Sequence, residues 1–247
     1  MSADDIIAAF RSLAGDILIT VKDLTIEYAD GSRAVDAVSF SIKAGENVAL
    51  IGANGAGKTT LLLALVGILP VRDGEIYIGE TILEKKNLRE VRSRVGLVFQ
   101  NPDDQLFMPS IFEDVAFGPR NYGCDEAETA ERVKAVLSRL GIERLAERSP
   151  LKLSGGEKRL AAISTVLSME PDFLLFDEPT AFLDPRARRN LTSVLSGLAQ
   201  GKLIATHDLS FAGEICSRVL LLHNGKLVAD DAKNILYDDS KLEAAGL

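Results

Sequence analysis

The feature that most constrains this chain is a glycine-rich segment between a short apolar strand and an apolar helix. Residues 52–59 read Gly-Ala-Asn-Gly-Ala-Gly-Lys-Thr, after the run Val-Ala-Leu-Ile and before an apolar stretch over 61–69. This strand–GxxxxGK[ST]–helix pattern turns backbone N–H groups and a helix N-terminus toward one point, where they bind phosphate. The loop is predicted to consist of Gly52, Asn54, Gly55, Ala56, Gly57, Lys58, Thr59 and Thr60.

Two residues of this loop have a predicted chemical role. Lys58 is expected to supply positive charge to the β- and γ-phosphates of a nucleotide. The Thr59 hydroxyl is expected to bind Mg²⁺, since hard cations prefer oxygen ligands.

Two carboxylates follow a second apolar strand, Phe-Leu-Leu-Phe-Asp-Glu over 173–178. Ligands of an open α/β sheet bind at the carboxyl ends of its strands. Asp177 is therefore predicted to reach Mg²⁺ through water, and Glu178 to orient the attacking water as general base. The alternative is a solvated strand end with two acids, and the phosphate loop makes that interpretation less favourable.

Strand and helix patterns alternate along the rest of the chain, which predicts an α/β protein with a mainly parallel sheet. Antiparallel strands are expected near both ends, so the sheet core is mixed. The predicted strands are 16–28, a pair over 38–43 and 47–52, 74–83 with a turn near Gly79, 95–100, 173–178, 203–208 and a hairpin over 218–230 turning at Asn224–Gly225; the predicted helices are 58–69, 126–140 and 160–169.

The domain organisation follows from the same patterns. Residues 1–15 are expected to form a short N-terminal helical extension, with apolar residues at helical spacing. Residues 16–247 are expected to form a single domain. Within it, the stretch from about 101 to 168 lies between two buried strands and is predicted to be an inserted helical lobe.

Charge and cysteine content exclude several classes of protein. Lys and Arg number 28 and Asp and Glu 36, so the formal net charge is −8. An acidic chain lacks the basic stripe of a sequence-independent duplex binder, so no nucleic-acid partner is expected. Cys124 and Cys216 are far apart, which excludes a disulfide framework and fits a reducing compartment. The N-terminus lacks the basic region of a signal peptide, and no apolar run is long enough for a membrane span.

Between the two phosphate-site motifs lies Leu153-Ser-Gly-Gly-Glu157, which resembles the signature of ATP-binding cassette (ABC) ATPases. The resemblance runs from about residue 17 to 230. It implies an α/β, P-loop NTPase architecture: the ABC ATPase fold, with a mixed sheet core, an antiparallel β subdomain and an inserted helical subdomain. It also implies ATP hydrolysis with ATP and Mg²⁺ as ligands.

The resemblance assigns further site residues. Tyr28 sits where the family stacks an aromatic ring on adenine, and Gln100 where it has the Q-loop residue, which contributes to catalysis and to Mg²⁺ binding. Residues 180–184 resemble the D-loop, whose Asp184 is expected at the nucleotide. His207 resembles the H-loop residue that touches the γ-phosphate. The implied catalytic set is Lys58, Gln100, Glu178 and His207, and the implied metal set is Thr59, Gln100 and Asp177.

A second anion-binding surface is expected where Ser154, Gly155 and Gly156 begin a helix. The resemblance implies that this turn caps the nucleotide held by Lys58 of another chain. Two chains, identical or related, would then enclose two ATPs head to tail. Glu157 stands where many family members have Gln, and Phe182 stands where a small residue is frequent.

The stretches 100–107 (QNPDDQLF) and 112–119 (FEDVAFGP) resemble the ATPases of energy-coupling factor importers, in particular the cobalt/nickel type. The resemblance implies integral membrane partners that dock through the Q-loop and the helical lobe, at the cytoplasmic face of the membrane. The solute would be a cobalt or nickel ion, otherwise a vitamin. Some of the four acidic residues Asp103, Asp104, Glu113 and Asp114 are hypothesised to meet basic residues of those partners, and the alternative is a solvated surface.

Two other interpretations use the same phosphate loop. One is an ABC ATPase that moves no solute, such as an iron–sulfur cluster assembly ATPase; it agrees with the fold but leaves the 100–107 stretch unexplained. The other is a P-loop kinase, which does not account for residues 153–157.

Overall fold

The computed structural model of the protein describes residues 17–247, so the helix expected over 1–15 lies outside the described residues. The strands are β1 Ile17–Glu27, β2 Arg33–Lys43, β3 Asn47–Ile51, β4 Asp73–Ile78, β5 Thr81–Ile82, β6 Val95–Val98, β7 Phe173–Asp177, β8 Gly201–Thr206, β9 Arg218–His223 and β10 Lys226–Ala232. The helices are α1 Lys58–Leu65, α2 Leu88–Arg94, α3 Ile111–Tyr122, α4 Glu126–Leu140, α5 Gly155–Leu167, α6 Pro185–Ser196, α7 Leu209–Ile215 and α8 Asp239–Ala244. Short 3₁₀ helices cover Lys85–Asn87, Pro102–Asp104, Glu143–Leu145, Pro150–Lys152 and Lys233–Tyr237.

These strands form two sheets. One is antiparallel with the order β2-β1-β4-β5. The other has the order β10-β9-β3-β8-β7-β6, and its strands are parallel except for β10, which pairs antiparallel with β9. The predicted mixed α/β architecture, with antiparallel strands near both ends of the described chain, is confirmed.

The six-stranded sheet separates two hydrophobic cores, because successive side chains of a strand point to opposite faces. Val48 and Leu50 of β3 pack with α1 and the antiparallel sheet. Ala49 and Ile51 of the same strand pack with the helices of the other face. The central strands β3, β7 and β8 are therefore apolar over most of their length, as expected for parallel strands covered on both sides, with Lys202 of β8 as a buried exception.

The expected strand pair over 38–43 and 47–52 is wrong. β2 pairs with β1 in the antiparallel sheet, whereas β3 lies between β8 and β9 in the other sheet. The physical reason is burial. β2 alternates buried and exposed residues, which suits a sheet with one covered face, while β3 is buried almost throughout and needs neighbours on both edges.

Several element ends differ from the sequence prediction. α1 stops at Leu65 rather than 69, since Gly67 adopts a left-handed conformation with φ of 64°. α5 begins at Gly155 rather than 160, because Ser154 caps its first turn. Helices α6 and α7 were not predicted, although Asp184 and Asp208 at their N-caps are signals that the sequence contains.

The region between β6 and β7 contains α3, α4 and α5 and no strand. α4 is the helix predicted over 126–140: Asp125 caps its start, Gly141 ends it in a left-handed conformation, and its apolar side faces the core. The limits 101–168 of an inserted subdomain stay a prediction. Among residues 17–247, no helix has the length and apolarity needed to cross a membrane.

Candidate active site

The parallel strands β3, β7 and β8 end at the same edge of their sheet, and a cavity of about 910 Å³ opens there. The cavity is lined by Tyr28, Ser32, Arg33, Ala34, Asn54, Gly55, Ala56, Gly57, Lys58, Thr59, Thr60, Gln100, Glu178, Ala181, Phe182 and His207. Most of the residues that the sequence predicted for one nucleotide site are thus brought together. Gly52 and Asp177 lie behind this lining, next to Lys58 and Thr59.

The phosphate loop is held in a narrow space that glycine alone fits. Gly57 has a φ of 104°, and a Cβ atom there would overlap the carbonyl oxygen of Ala34. A Cβ atom at Gly52 would overlap the carbonyl oxygen of Leu222. α1 starts directly after Gly57, and the N–H groups of its first turn have no intrahelical acceptor. The loop therefore presents unpaired donors and a helix N-terminus to the cavity, as an anion site requires.

Lys58 is 6% exposed and its ammonium group already has partners in the chain. Nζ donates to the carbonyl oxygens of Gly52 at 2.7 Å and Ala53 at 3.2 Å, and it lies 3.6 Å from Oε1 of Glu178. A phosphate that enters the cavity competes with Glu178 for this charge. Binding of an anion to Lys58 would therefore weaken the ion pair of Glu178, the carboxylate predicted to be the general base.

Thr59 and Asp177 form the second polar contact of the site. The Thr59 hydroxyl donates to Oδ2 of Asp177 at 2.8 Å, while Oδ1 of Asp177 is buried and has no partner in the described chain. Burial raises the pKa of Asp177 above its ordinary value, and the charge of Glu178 adds to this, while the bond from Thr59 opposes it. An orphan carboxylate oxygen beside a hydroxyl is a donor set that fits a hard cation such as Mg²⁺.

Thr59, Asp177 and Gln100 are the residues that would hold this cation, Asp177 through water, with Gln100 at the cavity wall. Bound Mg²⁺ supplies positive charge that offsets the negative charge of nucleotide phosphates. These metal roles of the three residues stay a prediction.

Glu178 is buried, and its carboxylate is oriented by two neighbours from the end of β8. Oε2 accepts from the Thr206 hydroxyl at 3.2 Å and lies 2.9 Å from Nδ1 of His207. The backbone of Glu178 has a φ of 42°, an unusual conformation for a residue with a side chain. His207 itself is largely exposed at the mouth of the cavity. The arrangement can hold a water against a fixed carboxylate base.

Tyr28 lies at the rim of the cavity, just after β1. Its hydroxyl forms a 2.6 Å hydrogen bond with the Thr60 hydroxyl, and its side chain is half-exposed. The predicted stacking on adenine stays a prediction. The sequence interpretation missed Ser32, Arg33, Ala34, Ala181 and Phe182 as lining residues; their position within a few residues after Tyr28 or Glu178 is the signal that would have found them.

The turn of Ser154, Gly155 and Gly156 does not line this cavity. Ser154 caps α5 with a capping box: its hydroxyl accepts from the Glu157 N–H, and the Glu157 carboxylate accepts from the Ser154 N–H at 3.1 Å and from its hydroxyl at 2.9 Å. The Ser154 N–H, the Arg144 guanidinium and the Ser154 hydroxyl together lower the pKa of Glu157 to about 2. One chain thus keeps its two predicted anion-binding surfaces apart, and a contact between Ser154 and ATP stays a prediction.

Asp184 also lies outside the cavity lining. Its carboxylate accepts from the N–H groups of Arg186 at 2.8 Å and Ala187 at 2.9 Å, and so caps α6. These two bonds lower the pKa of Asp184. Within one chain its function is that of a helix cap, and its expected contact with nucleotide stays a prediction.

The hypothesis that some of four acidic residues meet a partner does not extend to Asp114. That side chain is 3% exposed and accepts from the N–H groups of Phe107 and Met108, both at 2.9 Å. Asp103 pairs with Lys158 at 2.5 Å and Glu113 pairs with Arg120 at 2.6 Å. The Asp103 and Glu113 side chains are 54% and 39% exposed in these pairs, so for them and for the exposed Asp104 the hypothesis stays a prediction.

Comparison with known proteins gives matches over most of the chain. A sequence model described as "ABC transporter" matches residues 35–181. A putative ABC transporter ATP-binding protein of Geobacter sulfurreducens is 47% identical, over 92% of this chain and 91% of that protein. The energy-coupling factor transporter ATP-binding protein EcfA of Carboxydothermus hydrogenoformans is 44% identical, over 94% of this chain and 87% of that protein.

Two solved structures are similar in fold. CbiO1 from Clostridium perfringens, described as part of the ABC transporter complex cbiONQ, superposes with a TM-score of 0.82 at 35% identity and 92% coverage of both chains. The ATP-binding cassette MJ0796, in a dimeric post-hydrolysis state bound to ADP and Pi, gives a TM-score of 0.78 at 26% identity, covering 87% of this chain and 99% of that one.

Proposed function

This chain belongs to the ABC transporter family, and we propose that it is the ATP-hydrolysing subunit of an energy-coupling factor importer. ATP-binding subunits of this family bind ATP with Mg²⁺ and hydrolyse it to ADP and phosphate, so the chain is an ATPase. The observation that carries the proposal is the convergence of Lys58, the Thr59–Asp177 pair and Glu178 at one cavity at the carboxyl edge of the sheet.

The site residues divide the work of hydrolysis among them. Lys58 and the N–H groups of the phosphate loop bind the phosphates, and Lys58 leaves Glu178 when it does so. Thr206 and His207 hold the Glu178 carboxylate in orientation. Glu178 then accepts a proton from the attacking water. Gln100 stands at the cavity wall, where with Thr59 and Asp177 it would hold the metal, which would supply positive charge to the phosphates.

A second subunit completes the site. The cavity of one chain lacks the Ser154–Gly156 turn, although that turn has the helix N-terminus needed to bind a phosphate. In the proposed head-to-tail dimer, the turn of one subunit covers the ATP held by the other, and Asp184 lies at the crossing. The dimeric state of the similar cassette MJ0796 supports this arrangement.

The proposed partners are integral membrane subunits that dock on the Q-loop and the helical region, at the cytoplasmic face of the membrane. Support comes from the relatives named as energy-coupling factor transporter subunits and from the similarity to CbiO1 of the cbiONQ complex. We propose a cobalt or nickel ion as the solute, otherwise a vitamin. A separate membrane protein recognises the solute in such importers.

The test is co-purification followed by reconstitution. The affinity-tagged chain is isolated from detergent-solubilised membranes of its own host, and the recovered complex is placed in ATP-loaded vesicles. We expect a polytopic membrane protein in the complex and ATP-dependent uptake of radioactive cobalt or nickel, which is lost in Glu178→Gln. Recovery with iron–sulfur assembly proteins and without a polytopic partner would favour the ABC ATPase that moves no solute.

A further inference from the structure

Arg159 is a buried cation that the site described above does not use. It lies in α5, five residues after Ser154, and is 2% exposed. Among the described residues it has no carboxylate within ion-pair distance, and its Nε has no hydrogen-bond partner. Burial lowers its pKa to about 10, and the charge of Asp177 opposes this, so Arg159 stays charged at neutral pH. Burying a cation without an ion-pair partner costs desolvation free energy. An apolar side chain would fill this space without that cost.

The guanidinium group of Arg159 binds two consecutive carbonyl groups of the segment that follows β6. Nη1 donates to the carbonyl oxygen of Phe99 at 2.9 Å, and Nη2 donates to that of Gln100 at 2.7 Å. β6 ends at Val98, so these carbonyl groups lie beyond the hydrogen-bond ladder of the sheet. The planar fork of arginine can span two neighbouring acceptors at fixed spacing, which a lysine ammonium cannot do in the same way.

Two further contacts attach the same segment to α5. The Gln105 side chain accepts from the Phe99 N–H at 3.1 Å and donates to the carbonyl oxygen of Ala162 at 2.8 Å and to the Thr165 hydroxyl at 2.7 Å. Lys158 pairs with Asp103 at the surface. Residues 99–105 are therefore fastened to α5 rather than to the sheet from which they emerge.

We propose that Arg159 is a positioning residue that fixes Gln100 at the metal end of the cavity and joins it rigidly to α5, the helix that begins at Ser154. The inference rests on the proposed role of Gln100. Arg159 follows Gly156 by three residues, about 4.5 Å along the helix axis. Any displacement of the Ser154–Gly156 turn therefore moves Gln100, and the chain flexes between Val98 and Phe99 rather than within 99–105.

The first test is hydrogen–deuterium exchange on the protein without nucleotide, which does not depend on the metal or on activity. In Arg159→Met, amides of 99–106 should exchange at least about tenfold faster than in the parent, because two charge-assisted hydrogen bonds are lost. The control is Ile163→Val, a buried change on the same helix that lowers stability and leaves the hydrogen bonds from α5 to 99–105 in place. In Ile163→Val, the ratio of the exchange rate in 99–106 to the exchange rate in the rest of the protein should be the same as in the parent.

The second test is a double-mutant cycle with Gln100→Ala, measured as the Mg²⁺ concentration for half-maximal ATPase rate and as kcat. Arg159→Met alone should raise the Mg²⁺ requirement by about ten- to a hundredfold, as loss of a residue that supports a metal ligand does. In the Gln100→Ala background it should add little, because both changes act through the same group. Arg159→Lys should raise the Mg²⁺ requirement less than Arg159→Met does, because the lysine keeps a positive charge and a donor at this position.

Two results would overturn the inference: exchange in 99–106 that matches Ile163→Val, or additive effects in the cycle. If Arg159→Met does not fold, exchange in Arg159→Lys decides, and a parent-like rate in 99–106 contradicts the proposal. Failure of the proposed function gives a different result: the polytopic partner and the ATP-dependent uptake would then be missing, while the exchange in 99–106 would still respond to Arg159→Met.

Discussion

At the scale of single residues, Glu178 combines three costs that its neighbours offset. It is buried, it is charged, and its backbone lies in a strained left-handed conformation with φ of 42°. Such strain costs about 1–3 kcal/mol and is found where the surroundings enforce it. Lys58 at 3.6 Å and the hydroxyl of Thr206 at 3.2 Å compensate the carboxylate in the chain without nucleotide. The contacts that orient Glu178 are therefore present before ATP binds.

The corresponding prediction concerns Glu178→Gln. The amide keeps the shape of the carboxylate and one of its two acceptor oxygens, but it cannot accept a proton from water. ATP binding, measured by calorimetry, should stay near the parent value, while single-turnover hydrolysis should fall by about 10²–10⁴-fold. Glu147→Gln, an exposed substitution with the same charge change, is the control. Hydrolysis at the parent rate in Glu178→Gln would contradict the assignment of the base.

At the scale of elements, the two helix N-termini predicted to bind anions, those of α1 and α5, differ in how their first N–H groups are satisfied. α1 follows a glycine loop that leaves its first N–H groups open to the cavity. α5 begins with a capping box in which Ser154 and Glu157 satisfy each other's N–H groups. The first site is pre-formed for a ligand. At the second, a phosphate that binds the Ser154 hydroxyl must displace its bond to Glu157.

Gly57→Ala tests the phosphate loop as an element. A Cβ atom there meets the Ala34 carbonyl, which belongs to the backbone of β2 and cannot move aside without disturbing the sheet. ATP affinity should fall at least about tenfold, since a displacement of a fraction of an ångström misaligns the N–H groups. Gly141→Ala is the matched control, with φ of 67° and open space around the added atom. It should lose about 1 kcal/mol of stability and keep its ATP affinity.

Glu157→Gln tests the capping box through its pH dependence. The pKa of Glu157 is about 2 in the folded chain, below its ordinary value of 4.5, so the ionised form is the one that stabilises the fold. This contribution is complete above pH 4.5 and is lost as the pH falls toward 2. The difference in unfolding free energy between parent and variant should therefore be largest at pH 7 and shrink below pH 4.5, measured by urea denaturation. A difference that grows on acidification would contradict the assignment.

At the scale of the whole molecule, the cavity of the described chain contains only one of the two phosphate-binding elements that the sequence predicts around each nucleotide. The lysine loop lies at the cavity, and the Ser154–Gly156 turn lies elsewhere on the surface. Phe182, 95% exposed with φ of 62°, lines the mouth of the cavity. An exposed aromatic ring in a strained loop gains burial if another copy covers it.

The prediction at this scale is an ATP-dependent dimer. In sedimentation equilibrium with ATP and Mg²⁺, Glu178→Gln should have a mass of about twice the 26.6 kDa of the chain. Slow hydrolysis keeps ATP bound, and bound ATP stabilises the dimer. Adding Gly155→Asp should keep the protein monomeric with ATP bound. Position 155 is open in the single chain, and an acidic residue suits the start of a helix, so folding is unaffected. Adding Lys58→Ala should remove ATP binding as well. A dimer that persists with Gly155→Asp would contradict the head-to-tail arrangement.

The sequence determined the parts whose physics is local. A strand, a glycine loop and a helix adjacent in the chain place Lys58 and Thr59, and apolar parallel strands bring Asp177 and Glu178 to the same edge. The hairpin at Asn224–Gly225 is likewise set by two residues that accept positive φ. Patterns of a few residues are enough wherever neighbours in the chain supply the interacting groups.

Tertiary structure alone decided the contacts between groups distant in sequence. It separated β2 from β3, buried Asp114, paired Lys58 with Glu178 and attached residues 99–105 to Arg159. None of these has a local signal, because each depends on which surfaces are buried together when the two cores form. Burial and long-range hydrogen bonding are properties of the folded arrangement, and a linear pattern specifies them only through it.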